Sequence, residues 1–211
     1  MTNKITAPRL REEQLEQETD IYVESRVEIA DRLIEQAQWT GLDADRASFD
    51  RVVFRQTTIS ESALRETEFT DVLFDRCDLS NVNFADIFLN RAEFRGCRLV
   101  GSDFGGGRMQ HVVLSDCIAD YANFRLVKFK SVRFEDCSLI GSDYYAAAVQ
   151  QFEWTRCKLD QANLSEIKLH GTDLSSCTFD SLTVNPEDLA GCTIASSQAS
   201  VFVGLLGLIL E

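Results

Sequence analysis

The residues of this chain best suited to chemistry are its cysteines. Six of the seven stand at Cys77, Cys97, Cys117, Cys137, Cys157 and Cys177, each twenty residues from the next. Thiolates brought together by a fold could ligate a soft metal or pair as disulfides. The other reading is that cysteine fills a small apolar slot that recurs at a fixed interval. An odd number of cysteines, in a chain whose N-terminus lacks the apolar stretch of an export signal, argues against a disulfide framework. The filler reading is therefore preferred. His111 and His170 are 59 residues apart with no Cys or Asp arrangement around them, so neither catalysis nor metal binding is expected of them. Gly105-Gly106-Gly107 resembles a phosphate loop only loosely, because the Lys-Ser/Thr of a P-loop does not follow. No enzyme activity, metal or cofactor is expected.

What must position the cysteines is a repeat. Written in fives from Arg46, the chain reads RASFD, RVVFR, QTTIS, ESALR, ETEFT, DVLFD, RCDLS, with a large apolar residue in fourth place nearly every time. The frame holds for thirty centres, from Phe49 to Ile194, without an insertion. A second inward position, usually small, lies two residues before each centre. Neither the helical period of about 3.6 nor the strand period of 2 explains this. A short extended piece followed by a corner does, and stacked copies form a solenoid with a continuous core. Twenty residues are four such pieces, so the cysteines imply a coil with four faces, each sulfur lying on the one below. Columns of Phe, such as Phe84, Phe104 and Phe124, would fill the axis. In the regular part Gly107 is expected to leave its inward slot empty, making the coil around 101–120 the weak point.

The formal net charge is −13. A free nucleic-acid partner is not expected, since phosphate binding needs a basic surface, and a basic partner is favoured. The longest apolar run, 201–210, is too short to span a membrane. The chain is read as soluble and cytoplasmic, with no small-molecule substrate. Outward carboxylates precede many centres. Asp103 and Asp143 share one face, and Glu153 and Asp173 are placed on the adjoining one; together they are the candidate partner-facing patch. Two readings of such Asp and Asn residues are compatible: hydrogen bonds to nearby turn backbone, or a rod that imitates the charge of a DNA duplex. The regular part would be roughly 36 Å long at ordinary strand spacing.

The division expected is a partly ordered extension over 1–26, the solenoid over 27–195, and a helix and tail over 196–211. Over 25–38 the frame would turn Arg32 inward, so an irregular first coil competes with an amphipathic helix. Near Pro186 and Glu187 the coil should loosen, because an unpaired inward carboxylate costs too much. The apolar segment after Ser196 reads as a short α-helix that closes the coil stack with one side and leaves the other for a partner, most simply a second copy.

GSDFG, YANFR and QANLS are close copies of A(D/N)LXX, and on them the chain resembles the pentapeptide-repeat family. The resemblance implies an all-β solenoid, the right-handed quadrilateral β-helix, with a short C-terminal α-helix. The tail is similar to that of Qnr-type quinolone-resistance members: Ser197-Gln198-Ala199, an apolar helix, then Leu206-Gly207. Phe152-Glu153-Trp154 is similar to an FDW segment of that group. That likeness implies a homodimer through Ala199, Phe202, Val203 and Leu206, and DNA gyrase or topoisomerase IV as partner. The long loops that interrupt the repeat in many of those proteins are missing here, so what depends on them does not carry over. A scaffold for some other protein is the alternative.

Overall fold

The computed structural model describes residues 5–18 and 21–205. It is a β-solenoid of about 8 turns closed by one short helix. Eight-residue strands recur every twenty residues: β2 (Glu28–Glu35), β4 (Ser48–Arg55), β6 (Glu68–Asp75), β7 (Phe88–Arg95), β8 (Arg108–Ser115), β9 (Lys128–Glu135) and β10 (Ala148–Thr155). They stack in parallel as one sheet, with the short β1 (Glu16–Gln17) at its edge. The shorter pairs β3 (Gln38–Thr40) with β5 (Thr58–Ser60), and β11 (Ala162–Asn163) with β12 (Leu182–Thr183), and a series of single bridges, lie on the remaining faces. Register advances by twenty residues at each step: Phe49 pairs with Phe69, Leu89 with Met109, Met109 with Phe129.

The corners explain the period of five. Every fifth residue from Arg26 to Gly171 has a left-handed backbone, with φ between 50° and 77°. Such a residue costs a non-glycine roughly 1–2 kcal/mol. Here most turn the chain while their N–H bonds the coil above, as Gln56 N does Asp75 O at 2.8 Å. Each eight-residue strand bends at such a corner, so it spans two faces. We call the faces first to fourth after the centres Ile59, Leu64, Phe69 and Phe74.

The axis is filled as the repeat implies. Phe54, Phe74 and Phe94 stack at 4.8 and 4.6 Å, and Phe84, Phe104 and Phe124 at 5.2 Å each. The six periodic cysteines are buried and unbridged. Each thiol reaches a carbonyl of the coil before it, Cys97 Sγ lying 3.3 Å from Phe74 O. Burial pushes the Cys177 thiol above its ordinary range. They are fillers. Gly107, however, leaves no empty slot. A Cβ there would stand 2.9 Å from both Ile87 Cγ2 and Phe104 O, because the Ile87 side chain occupies the space.

The first coil is regular. Ile29, Ile34, Trp39 and Ala44 are buried centres, and 28–35 is a strand rather than a helix. Arg32 escapes the axis at the open end of the rod, where it pairs with Glu16 at 3.0 Å and Glu18 at 2.9 Å. The segment 5–18 is ordered as a strap. From Glu18 N on Leu33 O it climbs the outside of the rod, through Glu12 on Arg55 (2.7 Å) and Arg9 N on Asp71 (2.9 Å), to Thr6 N facing His111 Nδ1 at 3.4 Å. Its passage accounts for the burial of Val53 and Leu73, which lie outside the axial core cluster.

At the other end the unbroken run of corners stops at Gly171, earlier than 195, and one further corner follows at Gly191, with φ 81°. Pro186–Leu189 forms a 3-10 turn that leaves Glu187 exposed and buries Asp188, whose carboxylate takes Lys168 Nζ at 2.5 Å. The helix α1 (Ala199–Leu205) follows a 3-10 turn at Ser196–Gln198.

Candidate interaction surface

With the axis solid, only the outside remains for function. Among the described residues no group of His, Cys, Asp or Glu is arranged to hold a metal. No helix of the described residues is long and apolar enough to cross a membrane. The outward positions form columns with a step of one coil, about 4.8 Å. Unlike charges pair along them at an interval of twenty: Arg51 with Asp31 (2.6 Å), Arg91 with Asp71 (2.6 Å), Arg46 with Glu66 (2.8 Å), Arg133 with Glu153 (2.8 Å) and Arg156 with Asp136 (2.7 Å). Most are exposed, and such pairs add roughly 0–1 kcal/mol each. Asp71 is the exception. Burial would raise its pKa, but the Arg91 guanidinium and the Arg9 N–H outweigh that and hold it below the ordinary value.

The four carboxylates read from the sequence as a patch are not brought together. The chain visits the faces in order, so Asp103 and Asp143 on the second lie opposite Glu153 and Asp173 on the fourth, not beside them. Each is also engaged locally. Asp103 accepts from Gly105 N (2.8 Å) and Asn123 Nδ2 (2.6 Å). Asp143 accepts from Tyr145 N and Asn163 Nδ2, both at 2.9 Å, and pairs with Arg125 at 2.9 Å. Glu153 is held by Arg133. Asp173 accepts from Ser175 N, and bonding to Ser175 lowers its pKa. Local turn bonding thus describes Asp103, Asp143 and Asp173, and an ion pair to the neighbouring coil describes Glu153. Phe152 and Trp154, flanking Glu153, are buried core.

The charge excess lies elsewhere. Residues 134–211 contain eleven Asp and Glu against three Lys and Arg, whereas residues 88–133 contain four against eight. Asp180, Glu166 and Glu187 are exposed toward the C-terminal end. Asp160 is held below its ordinary pKa: burial opposes, and the Ser181 hydroxyl and the N–H groups of Ser181 and Asp180 outweigh it.

Sequence reasoning missed one residue at that end. Gln198 is buried, its Nε2 donating to Leu174 O at 2.9 Å and Cys177 O at 2.7 Å. In the regular stack a backbone N–H twenty-one residues on serves the cysteine carbonyl, as Arg98 N serves Cys77 O. Gln198 replaces that N–H with a side chain and so finishes the last rung. Phe202 packs edge-on against Phe179 at 5.9 Å, and Val201 also lies on the core. Phe202 is therefore spent on closing the rod. Ala199 is exposed and Val203 half-buried, both outside the core cluster, while Leu206 lies outside the described residues.

The profile of the pentapeptide repeat region matches residues 33–104, 87–164 and 127–200. The chain is a pentapeptide-repeat protein. No curated protein sequence matches it. Among solved structures, this pentapeptide-repeat protein is similar to HetL from the cyanobacterium Nostoc sp., involved in heterocyst differentiation regulation. The identity is 17%, covering 81% of this chain and 84% of that one, with a TM-score of 0.58. It is also similar to QnrB1, a plasmid-mediated fluoroquinolone resistance protein, at 16% identity over 89% of this chain and all of that one, with a TM-score of 0.45. At these identities the likeness to HetL shows the fold.

Proposed function

We propose that this pentapeptide-repeat protein is a non-enzymatic protein-binding rod whose acidic C-terminal portion engages a basic, DNA-binding groove of a partner. The observation that carries the reading is the charge distribution on a solid rod: eleven acids against three bases after residue 133. Carboxylates repeated at strand spacing along a rigid body present a polyanion whose shape costs no ordering on binding. Its long-range field steers a basic groove to it, with a strong salt dependence. A type II topoisomerase, DNA gyrase or topoisomerase IV, is the partner suggested by the resemblance of the tail, and protection against quinolones or gyrase toxins would follow from displaced DNA. The patch we assign is Asp160, Glu166, Asp180 and Glu187, with Asp143 beside them; Asp173 lies on the opposite face and Asp103 falls in the positive middle. The exposed side of α1, through Ala199 and Val203, is the proposed contact between two copies.

The test is binding of the purified protein to gyrase by interferometry at several salt concentrations, against a variant with Asp160, Glu166 and Asp180 changed to Lys. Salt-sensitive binding that the variant loses supports the reading. Equal binding by both proteins refutes it.

A further inference from the structure

We propose that the third face carries, at Arg108, Lys128 and Lys130, a second docking surface, for an acidic segment of a protein partner that also presents apolar side chains. The observation is a like-charge step in a rod where unlike steps recur. Many cations in the outward columns meet carboxylates one coil away, as Arg46, Arg51, Arg91, Arg133 and Arg156 do. Here Arg108 has Lys128 as its ladder partner on the next coil, and Lys130 follows on the same side of the same strand. All three are exposed, and among the described residues no carboxylate lies within ion-pair distance of any of them. Like charges directly opposite weaken a ladder. The fold does not demand cations at this position, since the same column holds Ser48, Glu68, Phe88 and Ala148 on other coils. The missing counter-charge is supplied from outside the chain.

The surroundings say what kind of anion. Two shallow grooves, about 360 and 390 Å³, meet at Arg108 and Lys128. Val149 and Gln150 border one; Phe88, Glu68 and Asp86 line the other, neither carboxylate within ion-pair distance of a cation among the described residues; and Leu126, 58% exposed, sits two residues before Lys128. Carboxylates can neutralise the cations while neighbouring apolar side chains cover Leu126, Val149 and Phe88. A sugar-phosphate chain would leave those uncovered. A long polyanion would also run onto the negative ends of the rod, where residues 1–87 hold nineteen acids against ten bases. This surface is independent of the acidic one, on a different part of the rod.

The test is fluorescence anisotropy with a labelled decapeptide of alternating Glu and Leu, and with a labelled oligothymidylate of equal length. The variant is Lys128→Glu, which restores an unlike pair with Arg108. We expect saturable binding of the peptide by the natural protein, tighter than that of the oligonucleotide. Lys128→Glu should weaken it about ten-fold while the melting temperature stays equal or rises. Three results overturn the proposal: no saturable peptide binding, tighter binding of the oligonucleotide, or peptide binding unchanged in the variant. A fall in melting temperature on Lys128→Glu would also do so, since the cations would then serve the fold.

Discussion

Replacing Gln198 by Ala tests how the rod ends. The side-chain amide gives two hydrogen bonds to carbonyls of the last regular coil, at 2.7 and 2.9 Å, and its own oxygen takes Ala195 N at 2.8 Å. Leu174 O keeps a second donor, Cys177 N at 2.9 Å, so losing Gln198 there costs about 0.5–1.5 kcal/mol. Cys177 O has no other donor among the described residues, and an orphaned buried carbonyl costs about 1–3 kcal/mol. The two together place Gln198→Ala at about 1.5–4.5 kcal/mol. Urea melts followed by circular dichroism would measure it. Hydrogen exchange should show the loss of protection concentrated over 174–198. Gln198→Glu removes the donors but keeps the length, and should destabilise at least as much. Stability within about 0.5 kcal/mol of the natural protein would mean that water already serves these carbonyls and that the capping argument is wrong.

Other outcomes follow from particular contacts. Gly107→Ala should destabilise by about 1–3 kcal/mol, because the new methyl meets Ile87 and an immovable carbonyl; unchanged melting would restore the empty-slot expectation. The strap should loosen in acid. Burial, with Lys130 and Arg91 nearby, lowers the His111 pKa, so its neutral form is the folded one. That contribution is complete above about pH 6.5 and falls away as pH drops through the lowered folded value. Asp71 has a depressed carboxyl pKa, so its share persists above about pH 4 and goes as pH falls through the folded value. The Thr6 amide resonance should titrate below the ordinary histidine midpoint, and a midpoint above about 6.5 would contradict this. Val203→Asp should convert a dimer to monomers by light scattering with the β spectrum kept; a natural protein that is monomeric at micromolar concentration refutes the dimer.

The fold was legible because the sequence repeats its instructions. Six cysteines twenty residues apart define four faces, and the Phe columns name the core. The corners were hidden because residues such as Arg51, Gln56 and Glu61 hold a left-handed backbone that their types do not advertise; ladder bonds impose it. Arg32 misled because an inward position in the first coil opens on the rod's end rather than its axis. The strap was illegible for a different reason: its few apolar residues, Ile5, Pro8, Leu10 and Leu15, show no period of their own, and its place is set by Arg55, Asp71 and His111, far away in sequence. The carboxylate patch failed on topology. Counting five residues places a side chain outward, but only counting faces shows that Asp143 and Glu153 point opposite ways.

The account rests on the rod displacing DNA from a basic groove, and gyrase supercoiling in the presence of increasing protein tests it most directly, run with and without ciprofloxacin. The account predicts inhibition of supercoiling that weakens as salt rises, or relief of the drug's block, and loss of either effect when Asp160, Glu166 and Asp180 are changed to Lys. Supercoiling and drug inhibition both indifferent to the protein would contradict it.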